Sequence, residues 1–310
     1  MPRRDHLDLL AIAAVALLCA LWGVHQVAVK VAVQQGLPPL LQCGLRSAGA
    51  AVLCALWIRW RGGAGALRAA LGDGAVARVG LLTAVLFGAE FTAIYLGIRL
   101  TSASRAVLFL YIAPFFTALG AHLLLPQERL RAVQALGLAI AFAGLVAAFA
   151  EGLLHATGSL AGDALCALGG VLWAATILVM KASTELRRIP TSGSLLYQLA
   201  GSAPLLLAGA ALSGELARPL HPDALAWACL FYQTVVVAFA SYLLWFWLLL
   251  LYPAARLSGF TFLTPLFGIV AGGVLLGEAL STGLLVGLAA ICAGLQLLNR
   301  RVPATAAAAG

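Results

Sequence analysis

Charged residues are scarce in this chain. Asp, Glu, Lys and Arg make up only 10% of its 310 residues, whereas 63% of the residues are apolar. An ordinary soluble domain carries about 25% charged residues. So few charges cannot cover a water-exposed surface, which excludes a soluble globular protein. The net charge of +8 comes from short basic clusters between apolar runs, a distribution typical of membrane proteins. We therefore expect no nucleic-acid partner and a lipid bilayer as the surroundings.

Several catalytic and metal-binding motifs are also missing. The six cysteines all lie inside apolar runs, and none has CxxC or Cys/His zinc spacing. We therefore predict no disulfide, no metal site and no cofactor. The chain has no HExxH or GxSxG sequence and no Walker-type phosphate loop. These absences argue against an enzyme, although an intramembrane enzyme and a non-transporting receptor or structural protein stay open as alternatives.

The apolar runs have the length of membrane-spanning helices, which need about 20 apolar residues each. The sequence predicts an all-α membrane protein with ten spans at 8–32, 38–59, 77–99, 104–125, 132–150, 161–182, 193–213, 224–247, 255–276 and 281–299. The first run is too long for the apolar core of a signal peptide, about 7–15 residues, so we expect a retained helix. We predict a disordered tail at 301–310.

The chain contains an internal duplication. In each half an arginine is followed nine residues later by a proline: Arg105 and Pro114, then Arg256 and Pro265. Further equivalent pairs are Glu128 and Glu278, Gly137 and Gly287, and Gly144 and Gly294. We assign one repeat to 1–150 and the other to 159–300. Because each repeat has five spans, an odd number, the second must enter the membrane from the opposite side, which gives two inverted five-helix repeats.

Basic residues predict the orientation. With both termini cytoplasmic, the cytoplasmic side receives Arg3, Arg4, Arg59, Arg61, Arg68, Arg78, Arg129, Arg131, Lys181, Arg187, Arg188, Arg256, Arg300 and Arg301. The outer side receives only Lys30, Arg99, Arg105 and Arg218. Because cytoplasmic loops are enriched in Lys and Arg, both termini are expected in the cytoplasm.

The order and spacing of the motifs resemble the EamA group of the drug/metabolite transporter superfamily, over about residues 10–299. The features that carry the likeness are Leu21-Trp22-Gly23, Lys30, Arg46, Ser102-Ala103-Ser104-Arg105-Ala106, Pro114 and Glu128, then Trp245-Phe246, Pro253-Ala254-Ala255-Arg256, Pro265 and Leu276-Gly277-Glu278. The resemblance implies export or exchange of amino acids and other small metabolites, a bacterial inner (plasma) membrane, and a cavity surrounded by spans 1, 3, 4, 6, 8 and 9.

Ionisable residues within the spans are the first candidates for a site. Glu90 lies in the middle of the third span, where a carboxylate is costly unless it is paired, protonated or hydrated. It is interpreted as a proton-coupling or cation-binding group, with a structural partnership to Arg46 as the alternative. Arg46 is always charged and is expected to act as a structural clamp or to bind an anionic group. His25 could relay protons.

Spacing adds further candidates. Trp22, Gln26 and Lys30 form one stripe on the first helix, and His25 lies beside it. Aromatic residues inside later spans could line a cavity: Tyr111, Trp173 and Tyr242. The matched prolines Pro114 and Pro265 are predicted to kink their helices beside that cavity.

Two matched pairs of charged residues lie at predicted helix ends. Glu128 and Glu278 are predicted to cap the helices that they begin. Arg105 and Arg256 are interpreted as junction residues on opposite membrane faces, with a role as gate contacts left open. Gly-xxx-Gly spacings would permit a homodimer without establishing one.

Overall fold

The computed structural model describes residues 6–63, 65–154, 159–217, 219–276 and 282–300. Within these ranges all the regular structure is helical, as predicted. The helices are α1 Leu9–Gln34, α2 Pro39–Gly62, α3 Ala66–Leu71, α4 Gly74–Ile98, α5 Ala103–Leu110, α6 Ala113–Leu124, α7 Ala132–Ala148, α8 Ala150–Leu154, α9 Leu160–Ala182, α10 Thr191–Leu212, α11 Ala224–Phe231, α12 Tyr242–Leu251, α13 Ala254–Phe260, α14 Leu263–Leu276 and α15 Thr282–Asn299. A π-helix, Tyr232–Ser241, joins α11 to α12.

Among the described residues, eight helical segments are long and apolar enough to cross a membrane. Three of them combine consecutive elements: α5 with α6, α11 with α12 through the π-helix, and α13 with α14. Two shorter apolar helices, Ala132–Ala148 and Gly283–Asn299, lie where the fifth and tenth spans are predicted. The structure therefore has an all-helical membrane architecture, while the count of ten spans stays a prediction.

The last helices of the two halves, α7 and α15, cross through glycines. A Cβ added to Gly137 would lie 2.6 Å from the carbonyl oxygen of Gly294, and one added to Gly144 would lie 2.8 Å from that of Gly287. Residue numbers rise along α7 as they fall along α15, so the two helices are antiparallel. Gly137 is the sequence equivalent of Gly287, and Gly144 is that of Gly294. Replacing each glycine by its equivalent therefore turns the first contact into the second. This is the contact pattern that a local two-fold axis produces.

The second helices of the two halves, α2 and α10, also pack against each other in antiparallel directions. Gly44 contacts Leu207, and the thiol of Cys54 donates a hydrogen bond to the carbonyl of Ser192 at 3.1 Å. These contacts also run in opposite chain directions. Equivalent helices thus have opposite directions at two separate places, as an inverted repeat requires.

Both described ends of the chain lie at one end of the bundle. The backbone N–H of Leu7 donates to Asn299 Oδ1 at 3.0 Å, and Asn299 Nδ2 donates to the carbonyl of Leu7 at 3.1 Å. The hydroxyl of Tyr252 donates to Asp8 at 3.1 Å at the same end. We call this the basic end, where α1 begins and α2 ends, and we call the other the open end.

The two spans that contain the matched prolines are broken rather than smoothly kinked. The sequence predicts continuous helices over 104–125 and 255–276, but α5 ends before Tyr111 and α13 ends before Thr261. Pro114 and Pro265 lie in the first turns of α6 and α14. Proline is tolerated in a first turn because the amide hydrogen that it lacks has no partner there. The prolines therefore begin the second helical segments at breaks of the same kind in the two halves.

Candidate substrate cavity

A cavity of about 600 Å³ lies between the two halves. This volume is within the range of small-molecule sites, about 300–1,000 Å³. Seven of the eight residues predicted to bind substrate or couple transport line it: Trp22, His25, Gln26, Glu90, Tyr111, Trp173 and Tyr242. The eighth, Arg46, does not line it. The prolines Pro114 and Pro265 are buried outside the lining, whereas Tyr111 at the first helix break is part of it.

The cavity reaches the open end of the bundle. Its mouth includes Lys30, Val33 and Arg99, which are exposed at the ends of α1 and α4. Its floor includes Trp245 and Phe246, which are 4% and 3% exposed. The exposed lining residues at the mouth therefore lie at the open end, and the buried floor lies toward the basic end.

Trp22, on the cavity face of α1, contacts the second half. Trp22 Nε1 donates to Ser241 Oγ at 2.8 Å, at the end of the π-helix. The Trp22 ring also meets Tyr242 and Trp245 edge to face, with centroid distances of 6.2 and 5.3 Å. Such edge-to-face pairs are a favoured aromatic geometry. Trp22 therefore both lines the cavity and connects the two halves.

Arg46 lies behind the cavity wall. Its side chain is completely buried, with Nη1 3.0 Å from His25 Nε2 and Nη2 3.2 Å from Cys43 Sγ. The guanidinium lies over the ring of Phe91, 4.7 Å from its centroid. Arginine can only donate, so His25 Nε2 must accept, and His25 is a neutral imidazole that carries its proton on Nδ1. This geometry agrees with the clamp interpretation of Arg46.

Glu90 has no comparable partner. It is 6% exposed, and its Oε2 atom is buried without a hydrogen bond. The side-chain oxygen of Gln198, also in the cavity wall, is likewise buried and has no hydrogen-bond partner. A buried polar group without a partner costs about 1–3 kcal/mol, and more if it is charged. These atoms therefore form a set of unsatisfied acceptors around the cavity.

Aromatic rings and aliphatic side chains form most of the remaining wall. Phe87 meets Tyr242 edge to face at 6.1 Å, and Tyr111 meets Trp173 edge to face at 5.9 Å. The first pair joins α4 to α12, and the second joins the break after α5 to α9. The walls are therefore largely apolar around a few polar atoms.

The basic end is closed by a buried ion pair. Lys181 Nζ lies 2.6 Å from Glu128 Oε1, and the two side chains are 3% and 4% exposed. Lys181 also donates to the carbonyl of Tyr252 at 2.6 Å, and Glu128 Oε2 accepts from the backbone N–H of Ala254 at 2.7 Å. Met180 and Phe246 separate this end from the cavity and also line a smaller pocket of about 270 Å³. The closed end thus joins a carboxylate of the first half to the second half.

This arrangement corrects one expectation. Glu128 was predicted to cap its own helix, but it lies in a 3₁₀ turn, Pro126–Glu128, before α7 begins. It caps the first residue of α13 instead, because the turn directs the side chain toward the other half. Its equivalent, Glu278, is outside the described residues.

The matched arginines lie at opposite ends, as predicted. At the open end, Arg105 Nε donates to Asp163 Oδ1 at 3.1 Å, and Thr101 Oγ1 donates to the same oxygen at 2.8 Å. At the basic end, Arg256 Nη1 donates to the carbonyl and side-chain oxygens of Asn299, each at 3.2 Å. Both arginines therefore hold helix junctions.

Sequence reasoning missed some wall residues. Gln198 comes from α10, the seventh predicted span, which the family resemblance does not place around the cavity. A polar residue within an apolar span is a signal that could have identified it. Lys181 was used only for orientation, and nothing in the sequence pairs it with Glu128. No cluster of three metal-ligating side chains occurs in the part of the chain that the structure describes.

Duplicated apolar helices around a central cavity define a multi-pass membrane transporter. Comparison with known proteins gives the family: the EamA-like transporter family matches residues 9–150 and 160–300, and the chain belongs to it. The chain is 30% identical over 302 residues to a Salmonella typhimurium protein named "Probable amino-acid metabolite efflux pump", and the match covers 95% of this chain and 97% of that protein. A solved crystal structure with 21% identity superposes with a TM-score of 0.75, covering 95% of this chain and all of the other, which supports the fold.

Proposed function

We propose that this protein is a secondary transporter that exports or exchanges small metabolites such as amino acids by alternating access. The observation that carries the proposal is a cavity of about 600 Å³ between the halves, with exposed lining residues at one end and a buried ion pair beyond the other. The family and the named relative support a membrane transporter of small metabolites. Two inverted five-helix repeats would provide the two matching halves that such a cycle needs.

The basic end is proposed to face the cytoplasm of a bacterial inner membrane, with both termini inside. The arginines at this end include Arg59, Arg61, Arg187, Arg188 and Arg256. Because basic residues are retained on the cytoplasmic side, the open end would face outward. The structure then corresponds to an outward-facing state, and the inward-facing state requires the contact between Lys181 and Glu128 to break.

Any proton coupling is proposed to pass through Glu90 rather than His25. The lone pair of His25 Nε2 is occupied by Arg46, so His25 cannot take a proton without losing that contact. Glu90 has an unpaired oxygen in the cavity wall. An unpaired buried carboxylate gains most from a proton or a cation.

Counterflow in proteoliposomes tests the proposal. Purified protein in liposomes loaded with an amino-acid mixture should accumulate a labelled member of that mixture, and mass spectrometry should recover it unaltered. Val29→Trp, in the cavity wall, should abolish the flux. Leu17→Trp, on the exposed face of the same helix, should not. Flux that survives Val29→Trp would overturn the cavity as the transport site, and chemically altered substrate would favour an enzyme.

A further inference from the structure

We propose that the cavity recognises its substrate through a protonated amine bound at Glu90, and that a substrate carboxylate is dispensable. The inference rests on the proposed function, because it assumes that the cavity is the transport site. It narrows the substrate class to amines with an apolar body, whether or not they also carry a carboxylate.

The cavity wall contains hydrogen-bond acceptors that have no partner. Among the described residues that line the cavity, Glu90 alone carries a carboxylate, and its Oε2 atom has no hydrogen-bond partner. The side-chain oxygen of Gln198 is buried, also lines the cavity and also has no hydrogen-bond partner. An ammonium group offers three donors and no acceptor. It would therefore satisfy atoms that the protein leaves without partners.

Arg46 is turned away from the cavity. A substrate carboxylate needs a cation or several donors, and Arg46 is the cation buried near Glu90. Its guanidinium is turned to His25 and Cys43, lies over Phe91 and contributes nothing to the cavity lining. The other basic lining residues, Lys30 and Arg99, are exposed at the mouth. Among the described residues, the inner part of the cavity thus offers a carboxylate for a cation but no cationic side chain for an anion.

The cavity also has aromatic walls. Rings of Trp22, Phe87, Trp173, Tyr242 and Trp245 line the same cavity as Glu90. Aromatic faces attract cations and also pack against apolar groups. Both parts of an apolar amine therefore find complementary surfaces here, whereas the negative faces of the rings repel an anion.

Two matched series of probes test this inference. Tryptamine, tryptophan and indole-3-propionate share a ring and differ in carrying the amine, both groups, or the carboxylate alone. Isopentylamine, leucine and 4-methylpentanoate form the same series with a smaller body. In competition with a counterflow substrate, the amine of at least one series should compete at least as well as its amino acid. Both carboxylates should be at least tenfold weaker.

Variants of Glu90 complete the test. Glu90→Gln, which is isosteric and neutral, should weaken amine competition at least tenfold, and Glu90→Asp should restore part of it. Glu151→Gln, at an exposed carboxylate in α8, should behave as the wild type. If Glu90→Gln does not fold, the selectivity of the wild type among the probes decides the matter.

Some outcomes would overturn the inference. Equal competition by a carboxylate, loss of competition by both amines, or full amine competition in a folded Glu90→Gln protein would each contradict it. If Val29→Trp still abolished flux in that case, the cavity would remain the transport site and only the amine assignment would fail.

Discussion

Removal of Lys181 should open the basic end. Lys181→Met keeps a long, unbranched side chain but leaves the buried Glu128 without this cation, while its Oε2 atom still accepts from the backbone N–H of Ala254. Breaking a buried ion pair by removing one partner costs about 3–5 kcal/mol. If the inward-facing state exposes Glu128 to water, the outward-facing state alone bears that cost. Since about 1.4 kcal/mol is a factor of ten, the equilibrium between the two states should shift at least a hundredfold.

Labelling of single cysteines measures this shift. Ser194 lines the small pocket on the basic side of the floor and is 5% exposed, whereas Gln26 is exposed to the open cavity. In a background without the two least buried native thiols, Cys229 and Cys292, Ser194→Cys should react slowly with a water-soluble maleimide. Lys181→Met should accelerate that reaction and slow the reaction of Gln26→Cys, because one end closes as the other opens.

Two controls show whether the reasoning holds. Arg188 and Asp73 form an ion pair at the same end with side chains 52% and 57% exposed, so Arg188→Met should change neither labelling rate, since exposed pairs contribute little. In Lys181→Met with Glu128→Gln, much of the shift should disappear, because no uncompensated charge remains. If both labelling rates rise together in Lys181→Met, the pair only stabilises the fold. If neither changes in a folded protein, the pair does not hold the basic end closed.

Three further predictions follow from single contacts. Gly144→Ala should lower the free energy of unfolding by about 1–3 kcal/mol in detergent melts, because its Cβ would meet backbone at 2.8 Å, whereas Gly209→Ala, with nothing closer than 3.9 Å, should be neutral or stabilising. Trp22→Phe should lose about 0.5–1.5 kcal/mol of stability with its hydrogen bond to Ser241, and a double-mutant cycle should show coupling between the two residues. A backbone amide in the first turn of α4 lowers the pKa of Asp73, so the stabilisation from this carboxylate is present above about pH 3.8 and lost as the pH falls further. Asp73→Asn should reduce that acid loss in thermal melts.

The internal repeat made the architecture predictable from the sequence. The apolar runs place the helices, because only segments of that length can satisfy their backbone across a bilayer. The repeated residues Gly137, Gly144, Gly287 and Gly294 are the ones that contact each other in the structure. A duplicated glycine is conspicuous because a side chain at that position would prevent the two helices from approaching.

The details of the cavity were not predictable in the same way. The π-helix depends on tertiary contacts, including the hydrogen bond from the hydroxyl of Tyr232 to the carbonyl of Leu21 at 2.9 Å and the close approach of Thr234 to Gly49. The pairing of Arg46 with His25 rather than Glu90 depends on which faces of α1, α2 and α4 meet. Side-chain spacing within one helix carries no information about these choices.

The repeat also explains why the structure is closed at the basic end. The sequence equivalent of Glu128 is Glu278, and that of Lys181 is Gln34. The repeat therefore has a lysine at this place in the second half and an uncharged glutamine in the first half. If the inward-facing state is closed by the equivalent contact at the open end, that contact lacks the cation and is weaker. The outward-facing state should therefore be preferred in the absence of substrate. Gln34→Lys would supply the missing cation at the end of α1 and should shift the equilibrium toward the inward-facing state, which the labelling of Ser194→Cys would report. An unchanged rate in a folded Gln34→Lys protein would show that the two halves do not exchange equivalent contacts.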